Sequence, residues 1–72
     1  MTKRKPPTNA EIGAKVRAAR VKAGLTQPEL GEKIGRKVQS VSKYEKGEDA
    51  LTVVMLATIA IALDCKTTDL LP

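Results

Sequence analysis

Residues able to do acid–base, nucleophilic or metal chemistry are scarce in this chain of 72 residues, which holds no His, one Cys (Cys65), one Tyr (Tyr44) and eight Asp or Glu. Without His the usual general base and the commonest metal ligand are missing, and a lone thiol has no partner to activate it. No Gly-rich phosphate loop accompanies the carboxylates. These absences exclude the ordinary enzyme classes and predict neither metal nor cofactor. The chemistry that remains is electrostatic. Thirteen Lys and Arg give a net charge of +5 and a pI near 9.7, the balance of a chain that meets polyanions.

That charge is unevenly spread. Residues 1–46 hold twelve of the cations against Glu11, Glu29, Glu32 and Glu45, a balance of +8, whereas Lys66 stands alone against Glu48, Asp49, Asp64 and Asp69 in the remainder. The first two thirds are therefore expected to face the polyanion and the last third another partner. Lys3, Arg4 and Lys5 run into Pro6 and Pro7 rather than into an apolar segment, so no export signal is read. The longest apolar run, Val53 to Leu63, is interrupted by Thr58 and falls short of the roughly 18 to 20 residues that span a bilayer. A single thiol fits a reducing compartment. The expectation is a cytoplasmic protein with no membrane contact, its residues 1–9 a basic flexible arm and 10–72 one domain.

Helical punctuation recurs along that domain. Thr8 with Glu11 is a capping-box pattern, and Ile12, Val16, Ala19 and Ala23 repeat at helical spacing until Gly24, predicting a first helix over 10–23. Thr26 with Glu29, Pro28 in the first turn, and Leu30 with Ile34 inward predict a second, ending at Gly35. A third is expected from Lys37 to Lys46 with Val41 and Tyr44 inward, closed by Gly47. Thr52 caps a fourth whose inward stripe reads Val53, Leu56, Ala57, Ala60 and Leu63, and Thr67 to Leu71 suggest a last short helix. Nothing alternates with the period of a strand. The prediction is an all-α, compact five-helix bundle.

Two short helices joined by a tight Gly35 turn fit a helix-turn-helix. Sharper evidence is the string Gly24-Leu25-Thr26-Gln27-Pro28-Glu29-Leu30-Gly31, then Ile34-Gly35, Val41-Ser42, Glu45, Gly47, Leu56, Ile59-Ala60 and Ala62-Leu63. Over residues 12–71 this resembles the Cro and phage-repressor helix-turn-helix family, also called the XRE family. The resemblance implies a lambda-repressor-like domain with its helix-turn-helix in helices two and three. It further implies sequence-specific binding of double-stranded DNA as a dimer, and control of transcription, usually repression.

Residue roles follow from the same resemblance. Gln27 matches the family Gln whose amide meets a phosphate and steadies the recognition helix; Thr26 beside it is the cap and a lesser phosphate contact. Arg20 and Glu45 match a structural ion pair, with Arg20 also near phosphate. Lys37, Val38, Gln39 and Lys43 fall where relatives turn side chains toward base edges. Gln39 suits adenine, and the two lysines suit guanine or phosphate. Val38 either meets a thymine methyl or widens the core stripe. Arg17, Ser40, Ser42 and Lys46 are expected on phosphates, and Lys3, Arg4 and Lys5 on phosphate or groove.

Two residues depart from the family pattern. Lys37 stands where Ser or Thr is usual, so the recognition helix should lack its side-chain cap and carry a cation at the positive end of its dipole. Gly31 stands where Ala is usual, at a helix-propensity cost of about 0.8 to 1 kcal/mol unless close packing against the first helix requires it.

The apolar Val54, Met55, Ile61, Cys65, Leu70 and Leu71 lie in the acidic third and predict a homodimer interface. Cys65 itself reads as a buried or half-buried thiol without chemistry. The leading expectation is a small dimeric repressor reading an inverted repeat, with no small-molecule effector, responding to its own concentration. The alternative is an antitoxin-like or adaptor module that keeps the fold and binds protein through the acidic, apolar end.

Overall fold

The computed structural model describes residues 5–72, and three of its α-helices start where a threonine side chain satisfies a free N–H group. Thr8 Oγ1 accepts the Glu11 N–H at 3.1 Å while Glu11 accepts the Thr8 N–H at 3.0 Å, opening α1 (Asn9–Lys22). Thr26 and Glu29 repeat the exchange at 3.2 and 2.8 Å to open α2 (Gln27–Ile34), with Pro28 in the first turn, where a missing N–H has no consequence. At α3 (Val38–Lys46), Lys37 is the cap residue and makes no side-chain capping bond. Thr52 Oγ1 accepts the Met55 N–H at 3.0 Å at the start of α4 (Val53–Ala62).

The chain ends differently from expectation. The described residues form four α-helices, and the expected fifth is a single 3₁₀ turn, Thr67–Leu70. Four residues, two of them β-branched, leave one apolar anchor and no room to propagate an α-helix before Pro72. That anchor is Leu70, at 0% exposure a member of the core. It was expected on the partner face, and the structure removes it from there.

The core gathers Val16, Leu30, Ile34, Val41, Leu56, Ile59, Ala60, Leu63 and Leu70. Packing runs α1 on α3, α2 on both α3 and α4, with the 3₁₀ turn bridging α1 and α4. On α4 the inward stripe is Leu56, Ile59, Ala60 and Leu63, at spacings of three and four. Val53, expected inward, is 81% exposed, because it opens the helix at the end beyond the reach of the core. Ala23, expected inward on the first helix, is exposed as the cap residue after Lys22.

Gly13 allows α1 and α3 to approach. It is buried, and a Cβ there would collide with the Tyr44 carbonyl oxygen and lie 2.6 Å from that of Glu45. Among the described residues no helix is long and apolar enough to cross a membrane.

Candidate nucleic-acid interface

The turn between α2 and α3 sets the crossing of the two helices. Gly35 adopts φ +71, a left-handed conformation that favours glycine. Its N–H and that of Arg36 both reach the Gly31 carbonyl, the latter at 2.8 Å. The chain thereby folds back onto Gly31, where a Cβ would lie 2.6 Å from the Arg36 carbonyl oxygen. The turn, and not the first helix, is what crowds Gly31.

Behind this turn Glu45 joins three elements. Its carboxylate, 2% exposed, accepts from Arg20 Nε at 2.6 Å, Arg20 Nη2 at 3.1 Å and Gln27 Nε2 at 3.0 Å. Arg20 Nη1 also donates to the Leu25 carbonyl at 2.8 Å, so α1, the loop after it, α2 and α3 are tied at one point. Donating to Glu45 pushes the Arg20 guanidinium pKa further above its already high ordinary value, against the opposing effect of burial. With one amide hydrogen on Glu45, Gln27 keeps its second for another acceptor.

This arrangement collects the predicted phosphate residues. Arg17, Arg20, Thr26, Gln27, Ser42 and Lys46 line one open concavity among α1, the start of α2 and α3. Ser40 lies outside it, half-buried, with its N–H on the Lys37 carbonyl at 3.0 Å. The first turn of α2 points its positive dipole end into the same region. Pro28 has no N–H and the capping box does not use that of Gln27.

Gln39 and Lys43 are exposed on α3, and Lys37 is exposed at its cap. Val38 is 37% exposed and outside the core, which removes the reading that it widens the core stripe; the inward side of α3 is Val41 and Glu45. Arg36 went unnoticed in the sequence. It is exposed at the turn beside Lys37, and its signal was two cations in succession before an uncapped helix.

The predicted partner residues divide. Val54 and Ile61 are 76% and 81% exposed and Leu71 is exposed too, whereas Met55 and Cys65 are half-buried against the core. Burial and the nearby Asp69 and Asp64 push the Cys65 thiol pKa up, away from thiolate chemistry. Lys5 is exposed; Lys3 and Arg4 lie outside the described residues.

The family described as helix-turn-helix matches residues 16–70. The chain belongs to this family, of the XRE type. Within it, an uncharacterised HTH-type transcriptional regulator of Sinorhizobium medicae (strain WSM419) is 35% identical over 63 residues, which are 86% of this chain and 45% of the relative. The chain thus spans less than half the length of the curated relatives it matches. Among solved structures, the restriction-modification controller protein C.AhdI from Aeromonas hydrophila superposes with TM-score 0.82 at 27% identity, covering 86% of this chain and 94% of that one. The S. venezulae BldD DNA-binding domain gives TM-score 0.80 at 36% identity, with 89% and 96% covered. Both share the helix-turn-helix fold with this chain.

Proposed function

We propose that this chain binds double-stranded DNA sequence-specifically as a homodimer and regulates transcription, as a repressor. The observation that carries the reading is the concavity, where Arg17, Arg20, Thr26, Gln27, Ser42 and Lys46 converge beside the exposed Lys37, Val38, Gln39 and Lys43. Donors ringed around an opening next to a free helix face suit a phosphate beside a groove. In this reading Gln39 makes the base-specific contact and the lysines supply most of the charge. The basic arm, residues 1–9, adds phosphate contacts to the domain of residues 10–72. The protein acts in the cytoplasm and catalyses nothing.

The second copy is placed on α4. Val54, Thr58 and Ile61 lie along one side of it by helical spacing, Val54 and Ile61 exposed and Thr58 half-buried, and the Thr58 hydroxyl donates to the Val54 carbonyl at 2.8 Å. Val54 and Ile61, two turns apart and exposed, are the apolar side chains that two copies of α4 would bury against each other across a two-fold axis. The same exposed face also favours a second reading, an adaptor or antitoxin-like module with a different protein partner.

Selection of duplexes from a random library at about 150 mM salt, where nonspecific phosphate binding is weakened, separates the readings. Enrichment of an inverted repeat with half-sites about 34 Å apart is the expected result. Salt-labile binding without enrichment overturns the regulator in favour of the protein-binding module. Ile61→Lys is expected to turn a sedimenting dimer into a monomer.

A further inference from the structure

We propose that Tyr44 binds DNA phosphate: its hydroxyl, with that of Ser40, donates to the backbone strand across the groove from the one that the concavity meets. The proposal rests on the DNA-binding reading above. The sequence pattern turns Tyr44 inward beside Val41, as a packing residue. The structure leaves it half-buried and outside the core, and the inward side of α3 is Val41 and Glu45. No hydrogen bond among the described residues engages its hydroxyl, and no buried polar side-chain atom lacks a partner, so that hydroxyl is open to solvent. An apolar side chain would pack as well there; Tyr adds a donor at the tip of the ring.

Helical geometry gives the direction. Lys43 stands opposite the midline of Val41 and Glu45, and each of its neighbours along the chain is turned from it by about 100°. Ser42 therefore lies on one flank of α3 and Tyr44 on the other. Lys46 shares the flank of Ser42, and Ser40, one turn before Tyr44, shares that of Tyr44. Ser42 and Lys46 line the concavity with Arg17, Arg20 and Gln27, whereas Ser40 and Tyr44 do not border it. The donors of the concavity thus serve one side of α3.

A groove has two walls. The major groove of B-form DNA is about 12 Å wide and a helix with its side chains about 10 to 12 Å across, so α3 in the groove meets a sugar-phosphate backbone on each flank. On the side of the concavity the phosphates meet Lys46, Arg17 and Arg20. On the other side the donors within α3 are the two hydroxyls, and Tyr44 has the longer reach. Phosphate contacts on both strands fix the roll of the helix about its axis, which a one-sided set leaves free.

Tyr44→Phe removes the hydroxyl and keeps the ring. Anisotropy titrations of the full chain on the best selected duplex, from about 100 to 300 mM salt, are paired with ethylation interference on both strands. A hydrogen bond to a charged group is worth about ten-fold or more in affinity, so the variant is expected to bind about ten-fold more weakly with an unchanged melting temperature. A neutral hydroxyl displaces no counterion, so the salt slope should stay that of the parent, whereas Lys46→Ala flattens it by about 0.9. In Tyr44→Phe, ethylation should cease to interfere at one phosphate, on the strand opposite the phosphate lost in Lys46→Ala. Base-pair changes in the site should leave the factor unaltered, since a phosphate carries no sequence information. Unchanged affinity overturns the proposal, and so does a loss confined to one base pair or an interference change on the same strand as that of Lys46→Ala. A lower melting temperature with unchanged affinity makes Tyr44 a packing residue alone and overturns it as well. A parent protein that binds no duplex removes the DNA-binding reading itself, and that outcome is distinct from the others.

Discussion

Replacing Glu45 by Gln tests the joint that holds the interface together. The carboxylate is almost wholly enclosed and accepts from Arg20 twice and from Gln27 once. The amide keeps the volume but offers one acceptor oxygen in place of two and turns a donor toward the cluster, so at least one Arg20 hydrogen loses its partner. Breaking a buried pair from one side costs about 3 to 5 kcal/mol. Arg20 borders the open concavity, where water relieves part of that loss, so the low end, about 3 kcal/mol, applies. A domain of this length holds roughly 4 to 11 kcal/mol in all, and the expected fall in Tm is about 12 to 24 °C.

Thermal unfolding followed by circular dichroism at 222 nm measures it. A fall below about 4 °C, under 1 kcal/mol, would refute the assignment of Glu45 as the joint. The companion variant Arg20→Met with Glu45→Leu leaves no unpaired buried charge and is expected to lose less than the two single replacements added together. Full additivity would show that the pair does not act as a unit.

Three other outcomes follow from local geometry. Gly13→Ala gains about 1 kcal/mol of helix propensity, yet its methyl meets the Tyr44 and Glu45 carbonyls; a net loss of about 1 to 3 kcal/mol is expected in urea unfolding, and a stabilised variant would contradict the close approach. Lys37→Ser supplies the missing cap and removes a cation from the dipole's positive end, so it is expected to stabilise the free protein by about 1 kcal/mol while weakening DNA binding and flattening the salt slope by about 0.9; unchanged DNA affinity would contradict a phosphate role. Glu29, whose carboxylate accepts the Thr26 N–H, has its pKa lowered first by that backbone bond and then by the Thr26 side chain. The capping stabilisation is complete above the unfolded carboxylate value, about 4.3, and is lost as pH falls through the lower folded value. The Tm gap between parent and Glu29→Gln should therefore be widest at pH 6 and close toward pH 3, and a gap that widens in acid would reverse the assignment.

The parts of the fold legible in the sequence are those with local causes. Thr8 with Glu11 and Thr26 with Glu29 each lie within four residues, so their capping boxes follow from spacing alone. The end of α4 was not legible in the same way. Asp64 takes the left-handed position at φ 54, and the Cys65 N–H reaches the Ala60 carbonyl at 2.9 Å, a close that glycine normally signals. Gly13 escaped notice because its reason is a pair of carbonyls some thirty positions away. The stripe on α4 was misjudged at Val53 because a helix apolar on nearly every side has no periodicity to mark its inner face. At the candidate site, the roles of Gln27, Arg20 and Glu45 came from the family resemblance, since no spacing rule links residues 18 and 25 positions apart. What the resemblance did not contain was the fold-back of the loop after α3, where the Glu48 N–H reaches the Lys43 carbonyl at 2.9 Å and Gly47 seats so closely against Ala10 of α1 that a Cβ would lie 2.6 Å from its nitrogen.

Two defects of this small domain fall on the same surface. Lys37 leaves the start of α3 without a side-chain acceptor, and the +5 chain pairs one cation, Arg20, in an ion pair among the described residues. Arg17, Arg36, Lys37, Lys43 and Lys46 therefore repel one another across the face formed by the concavity and α3. Natural sequences break local rules chiefly where function compensates for the loss. The phosphates along a duplex, one of them beside Lys37 to accept the free N–H groups, would neutralise the cations as well, so one ligand repairs both defects. A partner protein held on α4 repairs neither, because Val54 and Ile61 lie on another helix. The placement of the strain thus favours the polyanion over the protein partner as the ligand this face is shaped for. It also requires that duplex DNA raise the melting temperature of the domain, with a gain that fades as salt rises.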